Sequence, residues 1–206
     1  MPQSSCKEEP LLRFTDIHKT FNRGSVNEVS LFTGFSLELR KNDFLSVVGS
    51  NGSGKTTLLN LLCGNMNLDD GSIFLKGRNI TKLSEHERSP FIGRVFQDPS
   101  KGTCPNLTVL ENMALADNKG KPYGLSKGVL KSRTDYYKTQ LELLGLGLEN
   151  KINLEVGSLS GGQRQALSLL ISTMTPIELL VLDEHTAALD PKASENVMEL
   201  TDKFIK

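Results

Sequence analysis

The sequence predicts an α/β protein with a mixed or parallel sheet core and an inserted all-helical block. Three observations predict it. Residues 44–63, FLSVVGSNGSGKTTLLNLLC, pass from an apolar β-type run through a Gly-rich turn into leucines at helical spacing. On either side of that stretch β-type and helical segments alternate. From about residue 98 to residue 157 the signals are helical only.

Taken in order, residues 1–10 read as a flexible tail. Residues 11–21 and 31–40 read as strands; in the second, Phe35, Leu37 and Leu39 alternate with Ser36, Glu38 and Arg40, as a half-buried strand requires. Asn22-Arg23-Gly24-Ser25 joins them as a turn. Lys41-Asn42-Asp43 turns the chain into a strand over 44–48, and Leu58, Leu59, Leu61 and Leu62 mark the helix beyond the glycines. Asp69-Asp70-Gly71 is a turn, 72–76 a short strand and Gly77-Arg78-Asn79 another turn. Ser84 and Glu87 form a capping box for a short helix that Pro90 stops. A strand over 93–96 ends at Gln97.

Residues 98–106 are loop-like. Thr108 and Glu111 make a second capping box, which starts a helix to about Asp117. The polar stretch 119–128 precedes a helix over 132–144, closed by Gly145 and Gly147. Ser160 and Gln163 make a third capping box, with Leu167, Leu170 and Ile171 as the apolar stripe behind it. The run 178–182 is nearly continuous in apolar residues, as in a buried parallel strand. Asp190-Pro191 starts the last helix, with proline at its first position.

Bulk composition narrows the function classes. The chain has 206 residues, 37% hydrophobic and 23% charged, which suits a soluble globular protein. Lys+Arg and Asp+Glu are both 24, so no net basic charge points to nucleic acid. Cys6, Cys63 and Cys104 are far apart and form no CxxC, which argues against a disulfide framework or zinc site and for a reducing compartment. The N-terminus has no basic-then-apolar leader pattern. The longest apolar stretch, 166–182, is broken by Thr173, Thr175, Pro176 and Glu178, so a membrane role would run through a partner.

The chemistry starts in the Gly-rich turn. Gly49, Gly54, Lys55 and Thr56 spell G-x-x-x-x-G-K-[ST] between a β-type run and a helix, the context that phosphate binding needs. Glycines let successive N–H groups converge on one anion, and the helix start adds its dipole. Lys55 offers a point charge to the outer phosphates, and the Thr56 hydroxyl is a hard oxygen ligand for Mg²⁺. The strand over 179–182 ends in Asp183 and Glu184, two carboxylates at the strand end where α/β sheets bind ligands. Asp183 is placed to reach Mg²⁺ and Glu184 to orient or polarise an attacking water. Leu159-Ser160-Gly161-Gly162-Gln163 starts a helix whose first turn has two residues without side chains, a second anion-binding device.

With Gly49–Thr56, Gln97, Ser160–Gln163, Asp183 and Glu184 in this order, the chain from about residue 11 to 206 resembles the ATP-binding cassette (ABC) ATPases of membrane transporters. The resemblance implies a P-loop NTPase fold, with a RecA-like core over 11–97 and 158–206 and a helical subdomain over about 98–157. It implies ATP and Mg²⁺ as ligands. Ser50, Asn51, Gly52, Ser53 and Thr57 join Gly49, Gly54, Lys55 and Thr56 around the nucleotide, and Lys55 also acts in catalysis. Phe21 resembles the aromatic that stacks on adenine, and Gln97 the glutamine that senses Mg²⁺ and the γ-phosphate. Ser160, Gly161, Gly162 and Gln163 resemble the signature motif that closes over a partner's ATP. Asp190, in Ala188-Leu189-Asp190, resembles the aspartate that crosses the dimer interface.

The implied partners are a second ATP-binding subunit in a head-to-tail homodimer, a membrane permease received by the helical subdomain, and a solute-binding protein. The implied place is cytoplasmic, peripheral on the inner face of the cell membrane through the permease alone. Nucleic acid is not among the implied partners, although a soluble cassette acting on ribosomes or DNA is a competing reading. GRVFQDP around Gln97 and LLVLDEHTAALDP around Asp183 are similar to a bacterial uptake group handling amino-acid-like solutes. His185 follows Glu184 where proline is commoner. In the family a further strand and a switch histidine follow the last helix. The resemblance therefore implies a C-terminally incomplete cassette; beside the reading as the ATP-hydrolysing subunit that energises transport stands a competing one, a truncated nucleotide-binding module with little hydrolysis by itself.

Overall fold

The computed structural model describes residues 9–122, 124, 128–184 and 191–205. It divides into two compact units, 1–88 and 89–206, which are described separately.

The first unit is built on an antiparallel sheet of β1 (Leu12–Phe21), β2 (Val29–Leu39), β3 (Asp70–Leu75) and β4 (Arg78–Asn79), in the order β2-β1-β3-β4. The alternation in β2 has its expected consequence. Phe35 and Leu37 are half-buried and Leu39 is buried, while Ser36 and Glu38 are exposed. The turn after β1 closes through Ser25 N–H donating to Asn22 O at 3.0 Å. The turn after β2 closes through Asp43 N–H donating to Arg40 O at 3.2 Å. Helix α1 (Lys55–Cys63) buries Leu58, Leu61, Leu62 and Cys63, and the sheet buries Leu12, Phe14, Ile17, Ile73 and Leu75.

Three local expectations are corrected. Residues 44–48 form no strand: Phe44 is 77% exposed and Val48 86% exposed. β-type composition becomes a strand only through a hydrogen-bonded neighbour, and no described strand pairs with this run. Asp70 and Gly71 already belong to β3, because His18 of β1 pairs with Asp70. Arg78-Asn79 is strand β4 rather than part of a turn, because the reversal is made by Lys76 (φ 48°) and Gly77 (φ 72°). Positive φ at both central residues is the tight hairpin geometry that matches strand twist.

In the short helix α2 (Glu85–Arg88), the Glu87 carboxylate accepts from Ser84 N–H at 2.9 Å and Ser84 Oγ at 2.8 Å.

In the second unit β5 (Ile92–Val95) and β6 (Leu179–Leu182) pair in parallel, with Ile92 beside Leu179 and Val95 beside Leu182. Between them the assigned elements are α3 (Val109–Asp117), α4 (Thr134–Glu142), α5 (Gly161–Thr173) and short 3-10 turns. Helix α4 is shorter than its sequence pattern, since a 3-10 turn over Lys131–Arg133 precedes it. Helix α6 (Pro191–Ile205) follows β6. With one antiparallel sheet, one parallel pair and helices between strands, the chain is of the α/β class with mixed strand directions. Helix α5 runs through the core of this unit: Ala166, Leu167, Leu169 and Leu170 are at most 1% exposed and pack with Val95, Val109, Met113, Leu141 and Val197.

Asp117 ties α3 to α4. Its carboxylate accepts from Arg133 Nη2 at 2.7 Å, Arg133 Nε at 2.9 Å and the buried Tyr137 hydroxyl at 2.9 Å. Burial works against its charge, but the Tyr137 hydrogen bond and the Arg133 guanidinium outweigh it and hold the carboxyl below its ordinary pKa. A depressed carboxylate adds stability that is complete above its unfolded pKa, about 4, and is lost as pH falls through the lower folded value. Asp117→Asn is therefore expected to cost about 2 kcal/mol at neutral pH. The gap to wild type should close below about pH 4, followed by urea unfolding across the acid range. A gap independent of pH would show that the charge is not the cause.

Candidate nucleotide site

The Gly-rich turn curls as its glycines demand. Gly52 (φ 84°) and Gly54 (φ 96°) occupy the left-handed region that other residues rarely adopt. A side chain at Gly54 would also meet Leu31 of β2 at 2.9 Å. Gly54 is the N-cap of α1 and offers no side-chain cap, so the amides of the first helical turn start without one.

The ammonium of Lys55 folds back over the turn and donates to Gly49 O at 2.7 Å and Ser50 O at 3.1 Å. Ser53 N–H donates to Ser50 O at 3.2 Å, closing the curl. Ser50, Asn51, Ser53 and Thr56 are exposed, and Thr57 is half-buried. The result is a curled loop with one ammonium folded over it and an exposed Thr56 at the positive end of a helix.

Strand β2 connects this loop to Phe21. Phe21 ends β1 and pairs with Val29, two residues from the Leu31 that packs at Gly54. The strand end is held by Asp69, which accepts from Thr20 N–H at 2.7 Å and Lys19 Nζ at 3.0 Å. Those two bonds, the amide first, lower the Asp69 carboxyl below its ordinary pKa. The Lys19 ammonium lies 5.7 Å from the centre of the half-buried Phe21 ring.

In the second unit Gln97, Asp183 and Glu184 share one sheet end. The parallel register places Val95 beside Leu182, and Asp183 N–H continues the ladder to Val95 O at 3.0 Å. Phe96-Gln97 and Asp183-Glu184 therefore leave the two strands together. Gln97 and Glu184 are exposed. Glu184 has φ 43°, a conformation that costs a bulky residue about 1–2 kcal/mol.

At the start of α5 both arms of the capping box form: Gln163 N–H donates to Ser160 Oγ, and Ser160 N–H to Gln163 Oε1, each at 3.3 Å. Gln163 is anchored further by Lys151 Nζ at 3.2 Å and by its own donation to Leu146 O at 3.2 Å. Ser160 and Gly161 stay exposed. Asp190, with His185, Ala188 and Leu189, lies outside the described residues.

Sequence reasoning missed Arg94 and Gln165. Arg94, in β5, donates to Asp183 Oδ2 at 2.9 Å, and its guanidinium lies 4.5 Å from the Phe96 ring centre. Gln165 is 1% exposed and donates to Phe96 O at 3.0 Å. Both had a signal: a charge inside an apolar strand, and an amide on the buried face of a helix, each needing a partner.

A glycine-curled lysine loop at a helix start, with a carboxylate pair at the end of a parallel strand, defines a P-loop nucleotide-binding α/β protein. Residues 32–187 match the family model described as ABC transporter. The chain belongs to the ABC transporter family and is a transporter ATP-binding subunit of the ATPase type. It is 44% identical to the tyrosine transport ATP-binding protein of Clostridioides difficile (strain R20291), over 95% of this chain and 78% of that one. It is 33% identical to the methionine import ATP-binding protein MetN of Rhizobium johnstonii, over 96% of this chain but 51% of that protein's length. It is also similar to the dimeric ATP-binding cassette MJ0796 bound to ADP and Pi, with a TM-score of 0.77 and 26% identity, covering 95% of this chain and 83% of that one. Among the described residues no helix is long and apolar enough to cross a membrane.

Proposed function

We propose that the chain holds ATP at Gly49, Ser50, Asn51, Gly52, Ser53, Gly54, Lys55, Thr56 and Thr57, with adenine against Phe21. The observation that carries this is the Lys55 loop. Two of the three ammonium donors are engaged by carbonyls of the loop itself, 2.7 and 3.1 Å away, at the bare start of α1. A triphosphate would draw the same ammonium away from those carbonyls and accept from backbone amides at the helix start.

Thr56 in the first unit, and Gln97 and Asp183 in the second, each offer oxygen donors, which a hard cation prefers. No group of three or more His, Cys, Asp or Glu able to hold a metal occurs among the described residues. A bound Mg²⁺ would neutralise charge on the phosphates. Glu184 polarises the attacking water, and Gln97 lies beside it at the same sheet end. The start of α5, with Ser160, Gly161, Gly162 and Gln163, closes over the nucleotide of a second copy.

On this reading the chain works as a homodimer under a membrane permease, peripheral on the cytoplasmic face, with a solute-binding protein delivering an amino-acid-like solute. The tyrosine transport relative supports that solute class.

The test is nucleotide affinity. Lys55→Ala should weaken binding of a fluorescent ATP analogue by roughly 10- to 100-fold, the worth of a charged hydrogen bond to phosphate, while the melting temperature stays near that of wild type. Unchanged affinity would reject the Lys55 loop as the phosphate site.

A further inference from the structure

Arg94 sits inside β5, 9% exposed at its side chain, in contact with Asp183, 17% exposed. The pair follows from the parallel register. Arg94 lies beside Val181, and residues two apart on a strand share a face. Asp183 is therefore diagonal to Arg94 on one face, and Phe96 is on that face too. Nη2 donates to Asp183 Oδ2 at 2.9 Å, and the Phe96 ring supports the guanidinium at 4.5 Å.

Helix α5 locks the arrangement from behind. Ser172 Oγ donates to Arg94 O at 2.9 Å, and Gln165 Nε2 donates to Phe96 O at 3.0 Å. Arg94 and Phe96 are thus fixed by the helix that starts with Ser160-Gly161-Gly162-Gln163.

We infer that Arg94 is the resident counter-ion of Asp183, a positioning residue that a divalent cation must displace from the carboxylate before Asp183 can serve it. This rests on the reading of Asp183 as the carboxylate on the metal side of the nucleotide. A mostly buried carboxylate needs a cation. Arg94 supplies one permanently, because a guanidinium stays protonated. The same charge repels a second cation arriving at the same oxygens. Arg94 keeps Asp183 aligned and compensated between nucleotides, and it lowers the affinity for the cation that accompanies the next one. Because α5 holds the Arg94 strand, a shift of α5 is also a shift of the counter-ion.

The experiment compares the affinity of the full chain for ADPNP, a non-hydrolysable ATP analogue, in EDTA and in Mn²⁺; the ratio measures the coupling to the cation. Wild type, Arg94→Met, Arg94→Lys and Asp183→Asn are measured, each with its melting temperature in both conditions.

The expected result is a coupling roughly tenfold larger in Arg94→Met than in wild type, since the competing charge is gone. Arg94→Lys, which keeps that charge, should stay near wild type. Arg94→Met should melt below wild type in EDTA, and the gap should narrow in Mn²⁺ with ADPNP. Equal coupling in wild type and Arg94→Met, with the same melting loss in both conditions, would make the pair a structural ion pair only and overturn the inference. Asp183→Asn separates the two claims. Wild-type coupling in that variant would remove Asp183 from the metal side, and the inference would fall with it. If Arg94→Met is unfolded in EDTA, refolding by Mn²⁺ plus ADPNP supports the inference. Failure to refold, together with Arg94→Lys coupling raised to several times that of wild type, overturns it.

Discussion

Arg88→Met is expected to lower the stability of the chain by about 3–5 kcal/mol, the scale of leaving buried polar groups without their charged partner. Arg88 is 1% exposed. Its guanidinium donates to Leu61 O at 2.7 Å, Leu62 O at 2.8 Å, Leu83 O at 2.8 Å and Thr81 O at 2.9 Å. Leu61 and Leu62 belong to the last turn of α1, whose carbonyls have no partner within the helix. A cation there also complements the negative end of the helix dipole. Burial lowers the guanidinium below its ordinary pKa, yet an arginine so shifted remains charged.

The other end of the same helix carries Lys55 and Thr56. Arg88 therefore clamps, from its far end, the helix proposed to bind phosphate. Arg88→Lys should recover only part of the loss, because an ammonium has three donors and no planar fork. The measurement is the urea midpoint at constant m-value. A loss below about 1 kcal/mol in Arg88→Met would mean that water replaces the guanidinium at these carbonyls.

Glu184→Gln is expected to cut turnover by roughly a thousandfold, within the range of a lost general base, while leaving the affinity for ATP unchanged. The amide keeps the size and the backbone conformation of Glu184, including its φ of 43°, but it cannot accept a proton from water. Asp183 N–H donates to Val95 O and remains in the ladder; Glu184 is the first residue turned out of it. The split between turnover and binding is the diagnostic: loss of both would indicate a structural role for Glu184. Single-turnover hydrolysis and equilibrium ATP binding on the same preparations decide it.

The capping boxes show how far local sequence reaches. Thr108 with Glu111, and Ser160 with Gln163, form both reciprocal bonds, because partners three residues apart need nothing beyond their own helix. The sequence places a turn at Gly77-Arg78-Asn79, whereas the reversal lies at Lys76-Gly77. The sequence showed a glycine, but the pairing of β3 with β4 decided which residues took positive φ. Residues 44–48 mark the limit most clearly. Their composition is β-type, yet Phe44 and Val48 are exposed and form no ladder, since a strand is a relation between two segments and composition describes one.

What the sequence by itself determined was the set of local devices. These are the Lys55 loop with its glycines, the capped start of α5, and the carboxylates that end β6; each depends on neighbours within a few residues. What only the tertiary structure decided was who answers the buried charges. Arg88 reaches 27 residues back to Leu61, and Arg94 reaches 89 residues forward to Asp183. The reason is physical. A buried charge announces in sequence that it needs a partner, but the partner's identity depends on strand register and helix packing, which bring residues together without regard to their separation along the chain.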